Sequence, residues 1–346
     1  RMWSVNQGIF NASIQAVEHP VGRIKGHALT ILPYVTDRLS PIRLMRGRPY
    51  RHSCMDDVRG SVPILGTMFT GDVPTRRLVI LQHGIASSRR EPYILRTAKH
   101  LVARGFDALS ISLRGSHGVG TDHYHAGLTD HLKAVFQDPA LREYTNIWVI
   151  GYSLGGQIAM RFALDVAPER LAGVVTVCAP LCMRSAQVAL DMRRRVMYRR
   201  PILATLKKRY RTLWRNGVSE GDQLVGDLNR ILNAKTFFEW DETVVCPRFG
   251  FESVRQYYEH VSTRDQLDQL TTPTLALFAR HDPIVPYESI SRLTTKPSSL
   301  LTTQVLDHAG HLGCVRQLGI GRRLGDFEGH ILQWFDKQVH EARCSV

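Results

Sequence analysis

The chain has 346 residues, 43% of them hydrophobic, and a formal net charge of +14 with a pI near 9.8. That composition suits a folded globule long enough for one large α/β domain with an insertion, and no apolar run approaches the ~18–20 residues that a membrane-spanning helix needs. The six cysteines are scattered (Cys54, Cys178, Cys182, Cys246, Cys314, Cys344), as reduced thiols are and a disulfide framework or zinc site is not. Residues 1–7 lack the basic-then-apolar pattern of a secretory signal. Both features point to a cytoplasmic setting.

In chain order, residues 1–76 read as an N-terminal segment in which 63–69 resembles an early strand of the main sheet. From Leu78 an alternation begins. It runs strand 78–82, helix 92–104, strand 108–113, helix 130–136, strand 147–150, a helix from 156 and strand 174–178. Strands separated by helices of this size make βαβ units and a mostly parallel, doubly wound α/β sheet. Between 181 and 270 no segment has strand character, so this stretch is expected to be a helical insertion placed as a lid. The rhythm returns with strands at 274–279 and 303–306. A closing helix puts Ile331, Trp334, Phe335 and Val339 on one face. The expected core is thus 77–180 with 271–346.

Within that alternation, Gly151-Tyr152-Ser153-Leu154-Gly155 lies between a strand and a helix. This is the context of a nucleophile elbow. The turn strains the serine backbone, and glycines on both sides remove the Cβ atoms that would clash. The hydroxyl then stands at a helix N-terminus, which favours a developing negative charge. A serine needs a base, and the base needs an orienting acid. Strand 274–279 empties into Arg280-His281-Asp282-Pro283, and strand 303–306 into Asp307-His308-Ala309-Gly310-His311. Asp282 and His311 therefore occupy the acid and base positions. His308 competes with His311, but Ala309-Gly310 can bend the chain so that His311 turns toward the elbow. An oxyanion hole needs two backbone N–H groups. Leu154 supplies one, and Ile85, in the loop His83-Gly84-Ile85 after strand 78–82, supplies the other. The order of strands, elbow, acid and base is that of the α/β-hydrolase fold.

Several further stretches resemble the YheT-type α/β-hydrolases, the type-four AB hydrolases. They are residues 26–33 with His27, Thr30 and Pro33; Arg114-Gly115-Ser116-His117-Gly118; Tyr124-His125 with Asp130; and Trp240-Asp241, Gly250-Phe251, Tyr257-Tyr258 and Ser262 leading to Pro273 and Asp282. The resemblance spans roughly 20–340. It departs at His281, where the family tends to carry Asp or Asn, at Gln256, where an acid or threonine is usual, and at 54–57, which lack the family's strand wording. The resemblance implies an esterase, lipase or acyl-ester transferase acting on medium or long acyl chains.

These features together point to a serine carboxyl-ester hydrolase taking a small-molecule ester, with no cofactor and no metal. The alternatives are an acyl transfer to an alcohol in the same site, or a non-catalytic binding protein of the same fold. His117, His123, His125 and His131 cluster in sequence without zinc-ligand spacing. Arg114 and Asp130 read as loop anchors, and Asp241 as a lid residue rather than the catalytic acid. Ten cationic residues lie between 193 and 215 with no acid among them, beside an apolar stripe of Leu203, Leu206, Tyr210 and Leu213. A solvated lid face competes with attraction to anionic membrane surfaces, peripheral to the inner membrane face. No motif for nucleic-acid binding accompanies the charge.

Overall fold

Near-continuous aliphatic runs leave no polar face to expose, so they are stable only when covered on both sides. The computed structural model describes residues 20–39, 46–120, 122–216, 227–290, 299–314 and 326–344. In it, β3 (Arg77–Gln82), β4 (Asp107–Ile111), β5 (Asn146–Tyr152), β6 (Leu171–Val177), β7 (Thr274–Ala279) and β8 (Leu301–Leu306) are parallel. The hairpin of β1 (Arg48–Asp56) and β2 (Gly60–Phe69) adds antiparallel to β4. The eight strands lie in the order β1-β2-β4-β3-β5-β6-β7-β8.

β1 has no counterpart in the sequence reading. It is an edge strand in which only Tyr50 and Cys54 are buried, and Pro49 is tolerated there because an edge leaves one row of N–H groups unpaired. Its polar wording therefore carries almost no strand signal.

The twenty-residue α1 (Pro20–Leu39) was also unforeseen. It holds Gly22, Gly26 and Pro33, none of which favours a helix interior. Packing overrides that preference. Arg96 joins α1, α2 (Pro92–Val102) and the C-terminal helix by bonding Asp37 at 2.6 Å and Glu328 at 2.7 Å.

The sheet is covered on two faces. One apolar cluster joins Leu78, Ile80 and Val149 to α3 (Asp130–Gln137), α4 (Leu154–Asp165) and the insertion. The other joins Val79, Leu81, Ile150 and Leu277 to α2 and to Ile331 and Phe335 of the C-terminal helix. Among the described residues, the stretch 181–270 holds helices and turns only. These are α5 (Met183–Asp191), α6 (Val196–Arg215), α7 (Leu228–Asn233), α8 (Phe237–Trp240), a π-helical turn Asp241–Val245, α9 (Cys246–Phe249) and α10 (Val254–Val261). The chain closes with α11 (Phe327–Cys344). Gln256 accepts from the Glu252 N–H at 2.7 Å while its own N–H donates to Ser253, so this departure from the family pattern serves the start of α10.

A buried charge ring fastens the insertion to the core. Arg114 reaches Asp56 at 2.7 Å and Asp122 at 2.9 Å, and Arg248 of α9 reaches the same two carboxylates at 2.9 and 2.7 Å. Each charge in the ring meets two opposite charges. Removing one partner would strand the others, which typically costs about 3–5 kcal/mol. Asp56 ends β1, so the edge strand with the weakest sequence signal holds one corner of the ring.

Candidate functional site

The elbow is built by exclusion of side chains. Ser153 has φ 53° and ψ −121°, and its N–H donates to the Val177 carbonyl at 2.8 Å. A Cβ on Gly151 would lie 2.2 Å from the Gly155 carbonyl oxygen, and one on Gly155 would lie 2.5 Å from the His83 oxygen. Only hydrogen fits at either position, so β5 and α4 can approach as closely as they do. Gln157, one turn into α4, accepts from Thr263 and donates to the Val261 carbonyl, tying the elbow helix to the end of the insertion.

His311 stands between Ser153 and Asp282. Its Nε2 is 3.0 Å from Ser153 Oγ and its Nδ1 is 2.8 Å from Asp282 Oδ2. The other Asp282 oxygen accepts the N–H groups of Ile284 at 2.7 Å and Val285 at 2.9 Å. A carboxylate so held fixes the proton on Nδ1 and leaves Nε2 free to accept from the serine. His308 is exposed, with Lys25 Nζ 3.3 Å from its Nδ1. Asp241 accepts from Tyr258 at 2.6 Å and does not meet His311.

α1 sets the acid and base loops, a part the sequence reading gave to no residue. Thr30 Oγ1 accepts from the His311 N–H at 2.9 Å and donates to the Gly26 carbonyl at 2.8 Å. A Cβ on Gly26 would lie 1.9 Å from the His281 carbonyl oxygen, and one on Gly22 would lie 2.9 Å from the His281 ring. The glycines let α1 rest against the acid loop, and Thr30 catches the base loop. The wording around His27, Thr30 and Pro33 was the available signal, but no pattern said which loop it would touch.

The loop after β3 brings Ile85 and Leu154 to one cavity with Ser153. A Cβ on Gly84 would lie 3.0 Å from Ser153 Cβ. The amides flanking Ile85 are engaged, Gly84 N–H with Tyr93 at 3.5 Å and Ala86 N–H with Tyr124 at 3.0 Å. Among the described residues no acceptor takes the Ile85 N–H. His83 explains its direction. Leu113 N–H donates to His83 Nε2 at 3.1 Å, so Nδ1 carries the proton and donates to the Gly84 carbonyl at 2.8 Å. In a trans peptide the next N–H points opposite to that carbonyl. Burial holds the His83 pKa down to about 3, so the ring stays neutral and keeps this tautomer. Leu154 opens α4, where its N–H has no partner within the helix.

Cys178, Asp282 and His311 offer ligand atoms within 4.8 Å of one another. The set is poorly suited to a metal. Burial and the Asp282 charge push the Cys178 thiol well above its usual pKa, and both Asp282 oxygens are already engaged. The four clustered histidines have separate surroundings. His131 meets Gln82 at 2.6 Å, His125 and His117 accept from nearby amides, and His123 packs on Tyr124 and Trp240.

A model of the α/β-hydrolase fold matches residues 77–316. The chain belongs to the α/β-hydrolase fold family. Within it the chain is of the YheT type, being 24% identical to the esterase candidate YheT of Escherichia coli over 78% of each chain. It is 22% identical to the medium-chain fatty acid ethyl ester synthase/esterase 2 of Saccharomyces cerevisiae, over 68% of this chain and 57% of that protein. The chain spans from about half to about four-fifths of the length of such curated relatives. The solved esterase Pf2001 of Pyrococcus furiosus shares the fold, with a TM-score of 0.51 at 15% identity over 84% of this chain and 93% of that one.

The hydrolase loop after β3 yields a prediction. His83→Leu removes the partner of both the Leu113 N–H and the Gly84 carbonyl, freeing the Ile85 peptide to turn. Loss of one oxyanion donor costs on the order of 10²–10³ in kcat. Steady-state kinetics on a soluble ester should show kcat down by roughly that factor with KM little changed. An unaltered kcat in a folded variant would separate His83 from oxyanion binding.

Proposed function

We propose that this chain is a serine carboxylic-ester hydrolase, and the observation that carries the reading is the hydrogen-bonded line Ser153 Oγ, His311 Nε2, His311 Nδ1, Asp282 Oδ2. As Ser153 Oγ attacks the ester carbonyl, His311 Nε2 takes the hydroxyl proton. The carbonyl π electrons move to oxygen, and that oxyanion is held by the N–H groups of Ile85 and Leu154. Collapse expels the alcohol, which takes the proton from His311 and leaves an acyl-Ser153. Asp282 holds the imidazole tautomer and stabilises the imidazolium. Water then repeats the sequence, with His311 as base, and releases the acid. An intact nucleophile, base and acid speak against a merely binding role.

The cavity beside Ser153 is lined by Met183, Leu190, Leu206, Phe237 and Val245. Apolar walls suit a medium or long acyl chain. Such walls also favour an alcohol over water at the acyl-enzyme, and the yeast relative's name joins synthase to esterase. Acyl transfer to an alcohol is therefore the second reading of the same site. Cys54, Cys178, Cys182, Cys246 and Cys314 are free thiols, in keeping with a reducing, cytoplasmic setting.

The basic helix α6 has a divided role. Leu203, Leu206, Tyr210 and Leu213 are buried inside the protein, so its apolar stripe is unavailable for insertion into lipid. Arg199 bonds the Asp191 carbonyl at the end of α5, and Arg209 bonds the Ser87 carbonyl at 2.8 Å. Arg193, Arg200, Lys208, Arg211 and Arg215 remain exposed. Attraction to an anionic surface thus rests on charge alone. Among the described residues no helix is long and apolar enough to cross a membrane.

Two tests follow. Ser153→Ala should lower kcat on a soluble ester by up to ~10⁶, and Asp282→Asn or His311→Ala by about 10⁴. His308→Ala should stay near wild type. A severe loss at His308 with a mild one at His311 would reassign the base.

For the membrane reading, Arg200, Lys208, Arg211 and Arg215 changed together to Gln should weaken cosedimentation with phosphatidylserine vesicles. Each basic residue near such a surface adds about 1 kcal/mol, screened over about 8 Å at physiological salt. The soluble-ester rate should be unaffected. Equal binding of the wild type to anionic and neutral vesicles at low salt would end that reading.

A further inference from the structure

Of the polar side chains at the Ser153 cavity that take no part in the proposed ester chemistry, His125 accepts from the Gly127 N–H and Gln187 donates to Asp191. Asp241 and His123 line the same cavity, amid mostly apolar neighbours. Asp241 begins the π-helical turn Asp241–Val245, directly after Trp240. A π turn widens the helix and re-aims a side chain, and such turns gather at functional sites. One Asp241 oxygen accepts from Tyr258 Oη at 2.6 Å. Among the described residues no cation forms an ion pair with this carboxyl. Burial pushes its pKa up to about 7, with the Asp191 charge adding to the shift. Near neutrality the group is thus shared between an acceptor-only form and one that can donate.

His123 is only 6% exposed. Its ring is stacked on Tyr124 at 4.8 Å and meets the edge of Trp240 at 5.5 Å. No hydrogen-bond partner among the described residues meets its nitrogens. Burial holds its pKa down to about 4, so it is neutral and offers one donor and one acceptor. The ring lines the cavity with its hydrogen-bonding capacity unused by the protein. A ligand entering the cavity can take up that capacity.

The surrounding charges narrow the ligand. His123 feels the Asp122 carboxylate as well as the Arg209 and Arg248 guanidinium groups, so neither sign of charge is favoured beside the ring. Asp241, when ionised, repels an anion. A neutral group that both donates and accepts satisfies both side chains, and a hydroxyl does so. We propose that Asp241 and His123 form a polar subsite, inside a mostly apolar cavity, for a hydroxyl-bearing part of the ester substrate. A hydroxyl there donates to Asp241 or to the unprotonated His123 nitrogen, and accepts from the imidazole N–H. Two neighbouring hydroxyls can engage both residues. Tyr258 holds the Asp241 carboxyl in place, and Trp240 and Tyr124 hold the His123 ring. The hydroxyl can belong to the alcohol or to the acyl chain. The subsite therefore sets which ester is preferred, while Ser153 and His311 carry the reaction. This inference rests on the esterase reading only for the identity of the ligand as an ester.

The test separates the subsite from the chemistry. Binding to Ser153→Ala is measured by calorimetry with unreactive ethers of one chain length: a dodecyl 2,3-dihydroxypropyl ether, a dodecyl propyl ether and a hydroxydodecyl propyl ether. The expected result is preference for one hydroxylated ether over the plain one by about tenfold or more, the scale of one or two net hydrogen bonds. The favoured ether tells the alcohol side from the acyl side. Adding Asp241→Leu or His123→Phe should reduce that preference to below about threefold while plain-ether binding persists. Asp241→Asn, which keeps hydrogen bonding and shape, should retain part of it. In the Ser153 protein, kcat/KM for the matching hydroxylated and plain esters should show the same pattern. Equal affinity of Ser153→Ala for all three ethers overturns the subsite, as does a preference that survives both changes. Ether discrimination with no turnover of any ester by the Ser153 protein would instead sink the esterase reading and leave the subsite standing.

Discussion

The backbone at Ser153 is forced to φ 53°, ψ −121° by the close approach of β5, α4 and the loop after β3. Conformations of this kind cost of order 1–3 kcal/mol and persist only when the surroundings over-determine them. Here the surroundings are explicit. Gly151 and Gly155 leave no room for a Cβ, and the Ser153 N–H is tied to Val177. The strain sets the hydroxyl at the start of α4, beside His311 and in the cavity that Ile85 also lines. If Gly151 or Gly155 gained a methyl group, the strand and helix would have to separate, and the distances to His311 would be lost with them.

The rest of the site consists of devices that hold mobile parts against that fixed point. His311 comes from a loop, and loops wander unless they are tied. Thr30 ties this one from a distant segment, with glycines in α1 permitting the contact. His83 fixes the Gly84 peptide by staying neutral in a buried position. The ring of Arg114, Arg248, Asp56 and Asp122 fastens the insertion to the sheet, and Gln157 fastens its far end to the elbow helix. Specific polar contacts thereby set the cavity in which an ester would lie. Asp241 and His123 line that cavity without serving as such ties.

Much of the architecture was legible because its signals are local. β3, β5, β6 and β7 are continuous aliphatic runs, and the alternation with helices implies the parallel sheet. The elbow is legible for a steric reason, since two glycines at fixed offsets from a serine serve few other purposes. Asp282 and His311 follow from position, each just after a core strand, and their meeting with Ser153 depends on that chain order. What escaped depends on contacts between distant segments. β1 buries two side chains and looks polar, yet supplies Asp56 to the charge ring. α1 carries glycines that argue against a helix until the acid loop is placed beside it. The stripe Leu203, Leu206, Tyr210 and Leu213 was visible, but periodicity could not say whether protein or lipid covers it. The tautomer of His83 follows from the bond made by Leu113, thirty residues away, and no local pattern encodes it.

The central claim is that an ester's acyl group passes through Ser153. It is tested most directly by acid-quenching the protein within milliseconds of mixing with an activated ester, then digesting it and weighing the peptides. The account predicts a transient acyl mass on the peptide that contains Ser153, formed at the rate of the alcohol burst and absent in Ser153→Ala. Turnover with the acyl mass on another residue, such as the buried Cys178, or with no adduct during a measurable burst, would contradict it.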